Sequence, residues 1–143
     1  MKEKMPKPLR RLGKAATMPK AKARRRAAPE AARFPVVGIG ASAGGLEAFQ
    51  KLFDALPPDS GMAFILIQHL EPTHPSMMVE LLAGHTSMKV QHAAEGMQLA
   101  RDCIYVIPPG VYLSIRDGAL HLSEPRERRG ARMPFDFLLR SMA

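Results

Sequence analysis

A chain of 143 residues, 46% of them hydrophobic, allows one domain of ordinary size with little to spare. Its formal charge of +8 suggests a nucleic-acid binder until it is divided by position: residues 1–33 hold twelve Lys or Arg against two acids, while residues 34–143 hold nine against eleven. The single Cys103 excludes a disulfide within the chain, and no apolar run approaches the roughly 18 residues that suggest a membrane span.

Residues 1–33 are rich in Ala, Pro, Lys and Arg and nearly empty of large apolar groups, so they cannot bury enough surface to offset their ordering entropy. The segment reads as a disordered basic tail, whose Arg24, Arg25 and Arg26 could hold an anionic partner weakly. It lacks the apolar centre of a secretory signal, which makes the cytoplasm the default compartment, with no membrane insertion. The domain begins at Phe34, where the composition changes abruptly.

Val36, Val37 and Ile39 form a short apolar run that reads as a strand, with Gly38 and Gly40 expected to let other backbone come close. After a turn, Leu46, Phe49, Leu52, Phe53 and Leu56 recur at helical spacing, and Pro57 and Pro58 end the helix. Met62 to Ile67 shows no alternation, which suits a strand buried on both faces of a parallel sheet. Strand, helix and strand together predict a right-handed βαβ unit. A second helix is expected over Pro75 to Leu82, with Thr73 or His74 near its cap and Gly84 closing it. A short strand follows at Lys89 to His92. Cys103 to Ile107 is a third buried strand, which makes Cys103 an interior rather than a reactive residue. Val111 to Ile115 and Ala119 to Leu122 flank an Asp117-Gly118 turn signal and predict a hairpin. A charged loop runs from Glu124 to Arg132, and Pro134 opens a last apolar helix. The fold class read from this order is α/β, with a mainly parallel sheet.

The chemistry centres on the first turn, where Gly40, Ser42 and Gly44 make G-x-S-x-G, a pattern that holds a serine on a sharp strand-to-helix corner. A serine hydroxyl needs a base to take its proton. His69 ends the next strand, and in open parallel sheets ligands bind beyond the carboxyl ends of strands. Ser42 and His69 are therefore expected on one rim. His74, His85, His92 and His121 read as surface residues. Gly38, Gly40 and Ala43 also fit the dinucleotide pattern G-x-G-x-x-A, but the next strand ends in Gln68 and His69 rather than in a ribose-holding acid. A metal site from His69, Glu71 and His74 matches no standard ligand spacing, and no cofactor is expected.

Taken together, GIGASAGGLEA from Gly38, the double proline, FILIQHLEPTH from Phe64, IYVIPPG from Ile104 and RMPFDFLLRSMA from Arg132 resemble, in order over residues 34–143, the catalytic domain of chemotaxis protein-glutamate methylesterases of the CheB type. ASAGGLEAF is especially similar to the methylesterase module that opens CheB–CheR fusion proteins. The resemblance implies a doubly wound, mainly parallel sheet with a β-hairpin near one edge. It implies a serine hydrolase of chemotactic signal transduction that cleaves glutamate methyl esters on a methyl-accepting chemoreceptor, and in some members deamidates glutamine there. Ser42 corresponds to the nucleophile and His69 to the general base, and the backbone N–H of Ala43 is the natural first oxyanion donor.

Three departures qualify the resemblance. Ala43 stands where stand-alone members often carry threonine, and the receiver domain that couples such enzymes to a phosphorelay has no counterpart in residues 1–33. The family's catalytic aspartate lies in a G-x-D-G-A segment after the part matching RMPFDFLLRSMA, and the chain ends before it. Residues 34–143 are accordingly read as the N-terminal portion of the domain, incomplete at its C-terminus and impaired in activity. Asp117, in the hairpin, is not promoted to that role, and Asp136 reads as an acid favoured by a helix N-terminus. The alternative from another class is a non-catalytic interaction module.

Overall fold

The computed structural model of the chain describes residues 34–42, 44–68, 77–126 and 132–143. The basic tail 1–33, the oxyanion candidate Ala43, the base candidate His69 with Thr73 and His74, and the middle of the charged loop lie outside the described residues.

A parallel four-stranded sheet in the order β1-β2-β4-β3 forms the centre, from β1 (Val36–Ala41), β2 (Ala63–Gln68), β3 (Lys89–His92) and β4 (Cys103–Val106). β2 and β4, the inner strands, are the two unalternating apolar runs. Both of their faces are buried, so neither could carry polar residues in alternation. Along β2, Ala63, Ile65 and Ile67 enter one core while Phe64 and Leu66 enter the other. Along β4, Cys103 and Tyr105 take the first side and Ile104 and Val106 the second. Cys103 is a free, buried thiol on a strand, as its apolar flanks indicate.

The second face is covered by α1 (Gly45–Ala55) and α2 (Met78–Ala83). On α1 the row Gly45, Phe49, Phe53 points inward, and the Phe53 ring meets Phe64 of β2 edge to face at 5.4 Å. Leu46 and Leu56 pack against this core, but Leu52, expected in the apolar stripe, is 37% exposed. Its position, three residues from Phe49, falls beside the inward row rather than on it. Gly84 ends α2 as expected, yet with φ −79° and not in the left-handed region.

The first face is covered by a hairpin, β5 (Tyr112–Arg116) and β6 (Ala119–Ser123), and by α3 (Pro134–Met142). The hairpin is a two-stranded sheet of its own. At its turn Asp117 and Gly118 have φ of 52° and 74°, the paired positive values that a type I′ turn requires. It is tied to the segment after the edge strand β3 by backbone bonds from Gly96 to Leu120, from Leu120 to Met97 and from Leu99 to Gly118. Glu95 adds a side-chain clasp: its carboxylate accepts the Leu122 N–H at 2.6 Å and lies 2.8 Å from His121 Nδ1. Those two partners, the Leu122 N–H first, hold the Glu95 carboxyl below the usual carboxylate range.

α3 is bound to both neighbours. Its Ser141 hydroxyl accepts the Ile115 N–H of β5 at 3.0 Å and donates to the Leu138 carbonyl at 2.7 Å, and Phe137 stacks on Tyr112 at 4.6 Å. Toward β1, Leu138 is fully buried.

Candidate active site

β1 ends at Ala41 and α1 starts at Gly45, with the turn between them closed by the Gly45 N–H donating to the Ser42 carbonyl at 2.9 Å. Ser42 is exposed at the carboxyl end of the strand. The glycines around it are not there for unusual backbone angles: none of Gly38, Gly40, Gly44 and Gly45 is among the described residues with positive φ, and neither is Ser42. Among the described residues of the turn, then, none shows the positive φ by which a strained nucleophile elbow would be recognised.

Three of those glycines answer to close packing instead. A Cβ on Gly40 would stand 2.8 Å from the Phe135 ring, and one on Gly38 would stand 3.3 Å from Leu138. A Cβ on Gly45 would collide with that of Ala41. Gly38 and Gly40, two apart on β1, face the first core, where Phe135 and Leu138, three apart on α3, press onto bare strand backbone. The sequence expectation that other backbone would approach these glycines is corrected: side chains of α3 do.

This contact sets α3 beside the serine. An open cavity of about 380 Å³ is lined from the strands by Gly40, Ala41, Ser42 and Ile67, and from the start of α3 by Met133 through Asp136. Among these described lining residues the side chains are apolar except for the Ser42 hydroxyl and the Asp136 carboxylate. A smaller cleft of about 50 Å³ adjoins it across Pro134, lined by Gln68, Pro108, Val111 and Arg132 among others. Both lie at the carboxyl rim of the sheet, as the open-sheet rule expects.

Ala41 and Gln68 are register partners in β1 and β2. Ser42 directly follows the one and His69 the other in the chain. Of the remaining histidines, His85 lies 3.0 Å from both Asp54 carboxylate oxygens, His121 meets Glu95, and His92 is exposed on the edge strand. Asp102 and Asp117 occupy turns, where Asp102 accepts the Gly61 N–H at 2.7 Å. Asp136 stands in the first turn of α3, as read from the sequence, and also on the cavity wall. Met133, Phe135 and Asp136 were not singled out for the serine site. The available signal was complementary spacing, alternate glycines on a strand against bulky residues three apart on a helix, over about 95 positions. Among the described residues no group of His, Cys, Asp or Glu is placed to hold a metal ion, and no helix is long and apolar enough to cross a membrane.

Fold and site define an open, mainly parallel α/β domain with a serine exposed on its first strand-to-helix turn. The family model described as CheB methylesterase matches residues 37–143, and the chain belongs to that family. A protein-glutamate methylesterase/protein-glutamine glutaminase of Geobacillus kaustophilus is 32% identical over 112 residues, covering 76% of this chain and 32% of that protein. One of Xanthomonas oryzae pv. oryzae is 38% identical over 85 residues, covering 59% of this chain and 24% of that protein. The chain thus spans about a third or less of the length of these curated relatives. In fold it is similar to the CheB methylesterase catalytic domain of Thermotoga maritima, with a TM-score of 0.67 at 21% identity, over 76% of this chain and 59% of that one.

Proposed function

We propose that the chain carries the acyl-transfer site of a protein-glutamate methylesterase, with Ser42 as nucleophile, His69 as general base and the Ala43 backbone N–H as oxyanion donor. The observation that carries this reading is the exposed Ser42 at the mouth of a largely apolar cavity, in a chain whose family match spans the whole described domain from residue 37 onward. Further support comes from chain connectivity, since Ser42 and His69 each follow one member of the Ala41–Gln68 register pair.

The substrate is the γ-methyl ester of a glutamate on a chemoreceptor or similar methylated signalling protein. His69 takes the Ser42 Oγ proton as Oγ bonds to the ester carbonyl carbon, and the oxyanion that forms is met by the backbone N–H of Ala43, the next residue in the chain. The carbon–methoxy bond then breaks, and His69 returns the proton so that methanol leaves. Water, deprotonated in turn by His69, attacks the acyl-enzyme, and the carbon–Oγ bond breaks to give glutamate and free Ser42. With a glutamine amide the same steps release ammonia. Residues 1–33 are assigned a weak, salt-sensitive hold on an anionic partner.

A fluorophosphonate probe tests the site. Label is expected on Ser42, absent in Ser42→Ala and slowed about 10²- to 10⁴-fold in His69→Ala, the range for loss of a general base. Folded protein that takes no label would favour the non-catalytic interaction module.

A further inference from the structure

We propose that Asp136 is a specificity-determining residue of the Ser42 cavity: its negative charge favours a neutral ester ligand and disfavours the free carboxylate that hydrolysis leaves behind. This rests on the methylesterase reading above. Among the described residues lining the cavity, Asp136 is the one that carries a charge. The others offer glycine, alanine, isoleucine, methionine, proline and phenylalanine surface, suited to the methylene and methyl groups of an esterified side chain but indifferent to its charge.

Position makes the charge a fixed element of the site. Asp136 follows Phe135, whose ring is pressed onto Gly40, and precedes by two residues the fully buried Leu138. Its backbone cannot move from the cavity unless α3 leaves β1.

Hydrolysis consumes a neutral ester and water and yields methanol, a carboxylate and a proton. The side chain in the cavity therefore loses its methyl group and changes from uncharged to singly negative. Among the described lining residues the apolar surface senses the lost methyl group, and the one carboxylate senses the new charge. Because Asp136 is exposed, water screens the repulsion, and the expected discrimination is about two- to fourfold, the Coulomb effect of like charges roughly 5 to 8 Å apart in a water-like dielectric. Arg132 lines the adjoining cleft and Arg140 stands one turn along α3. Both are retained when Asp136 alone is changed, so their contributions cancel in the comparison.

The test is a binding titration that needs no chemistry. The full-length chain, labelled with nitrogen-15 and carrying Ser42→Ala in every form compared so that the ester is not hydrolysed, is titrated with N-acetylglutamate α-amide γ-methyl ester and, separately, with its free γ-carboxylate form, following the backbone amides of residues 40 and 42; wild type here means Asp136 in that background. Wild type is expected to bind the ester more tightly, and Asp136→Asn to reduce the acid-to-ester ratio of Kd about two- to fourfold at low salt. Asp136→Glu keeps the wild-type ratio, and at about 1 M salt the difference between wild type and Asp136→Asn vanishes. A ratio unchanged in Asp136→Asn, a change that survives high salt, or no response at residues 40 and 42 to either compound overturns the proposal. Failure of the catalytic reading shows separately, as the absence of fluorophosphonate label on Ser42.

Discussion

Gly40 and Gly44 bracket Ser42 symmetrically in G-x-S-x-G, but the two glycines do different things. Gly40 is where Phe135 meets the strand, and an added Cβ would sit 2.8 Å from the ring. Among the described residues, Gly44 has nothing within 4 Å of an added Cβ, and it has φ −83°, ψ 3° as the N-cap of α1. Gly40→Ala is therefore expected to cost about 1–3 kcal/mol through overpacking, whereas Gly44→Ala should stay within about 0.5 kcal/mol of wild type. Thermal melts followed by circular dichroism separate the two, and equal losses would contradict the packing account. The motif as written thus merges one packing glycine with one that packing leaves free, and only their environments tell them apart.

At the scale of elements, the hairpin is the piece held by a titratable clasp. Folding lowers the Glu95 carboxyl from its ordinary value, through the Leu122 N–H first and then His121. A depressed folded-state value means that the clasp contributes stability in full above the unfolded carboxylate pKa. That contribution is lost as pH falls through the lower, folded value. Wild type and Glu95→Gln should therefore differ in Tm at neutral pH and converge as the solution is acidified below the usual carboxylate range. A gap between them that widens in acid would reverse the sign and exclude the clasp. α3 is held without the Glu95 carboxylate. Its contacts are the Phe135 and Leu138 packing on Gly40 and Gly38, the Ser141 bridge to β5 and the Phe137–Tyr112 stack, so the wall it gives the Ser42 cavity should persist where the hairpin clasp has loosened.

The whole molecule divides sharply by charge. Twelve of its 21 basic residues lie in residues 1–33, and the remaining 110 residues carry more acids than bases. A chain beginning at Phe34 is expected to lose retention on a heparin column at low salt while keeping the Tm of the full chain, because attraction to a polyanion follows the net charge. Retention that survives the deletion would place a basic surface on the domain itself. Within the domain, the sheet separates two cores, one under α1 and α2 and one under the hairpin and α3. The serine turn belongs to both, with α1 leaving from one side of it and α3 closing over the other.

Periodicity and turn chemistry are local, and what they encode was legible in the residues alone. The unalternating runs of β2 and β4 announced strands buried on both faces, Asp117-Gly118 announced a type I′ hairpin, and Pro57 and Pro134 marked where helices end and begin. The serine turn, its helix and its family pattern could be named for the same reason. Tertiary structure decided what lies across space from those elements: that Leu52 misses the core its spacing suggested, that Gly38 and Gly40 are bare because Leu138 and Phe135 fill the room above them, and that the far wall of the Ser42 cavity comes from α3, about 95 residues away. A strand's sequence records its own pleat and burial, but which helix packs against a given face depends on the path of the whole chain. Asp136 could be read from the sequence as a helix-start acid, and only the folded chain brings it into the serine's cavity.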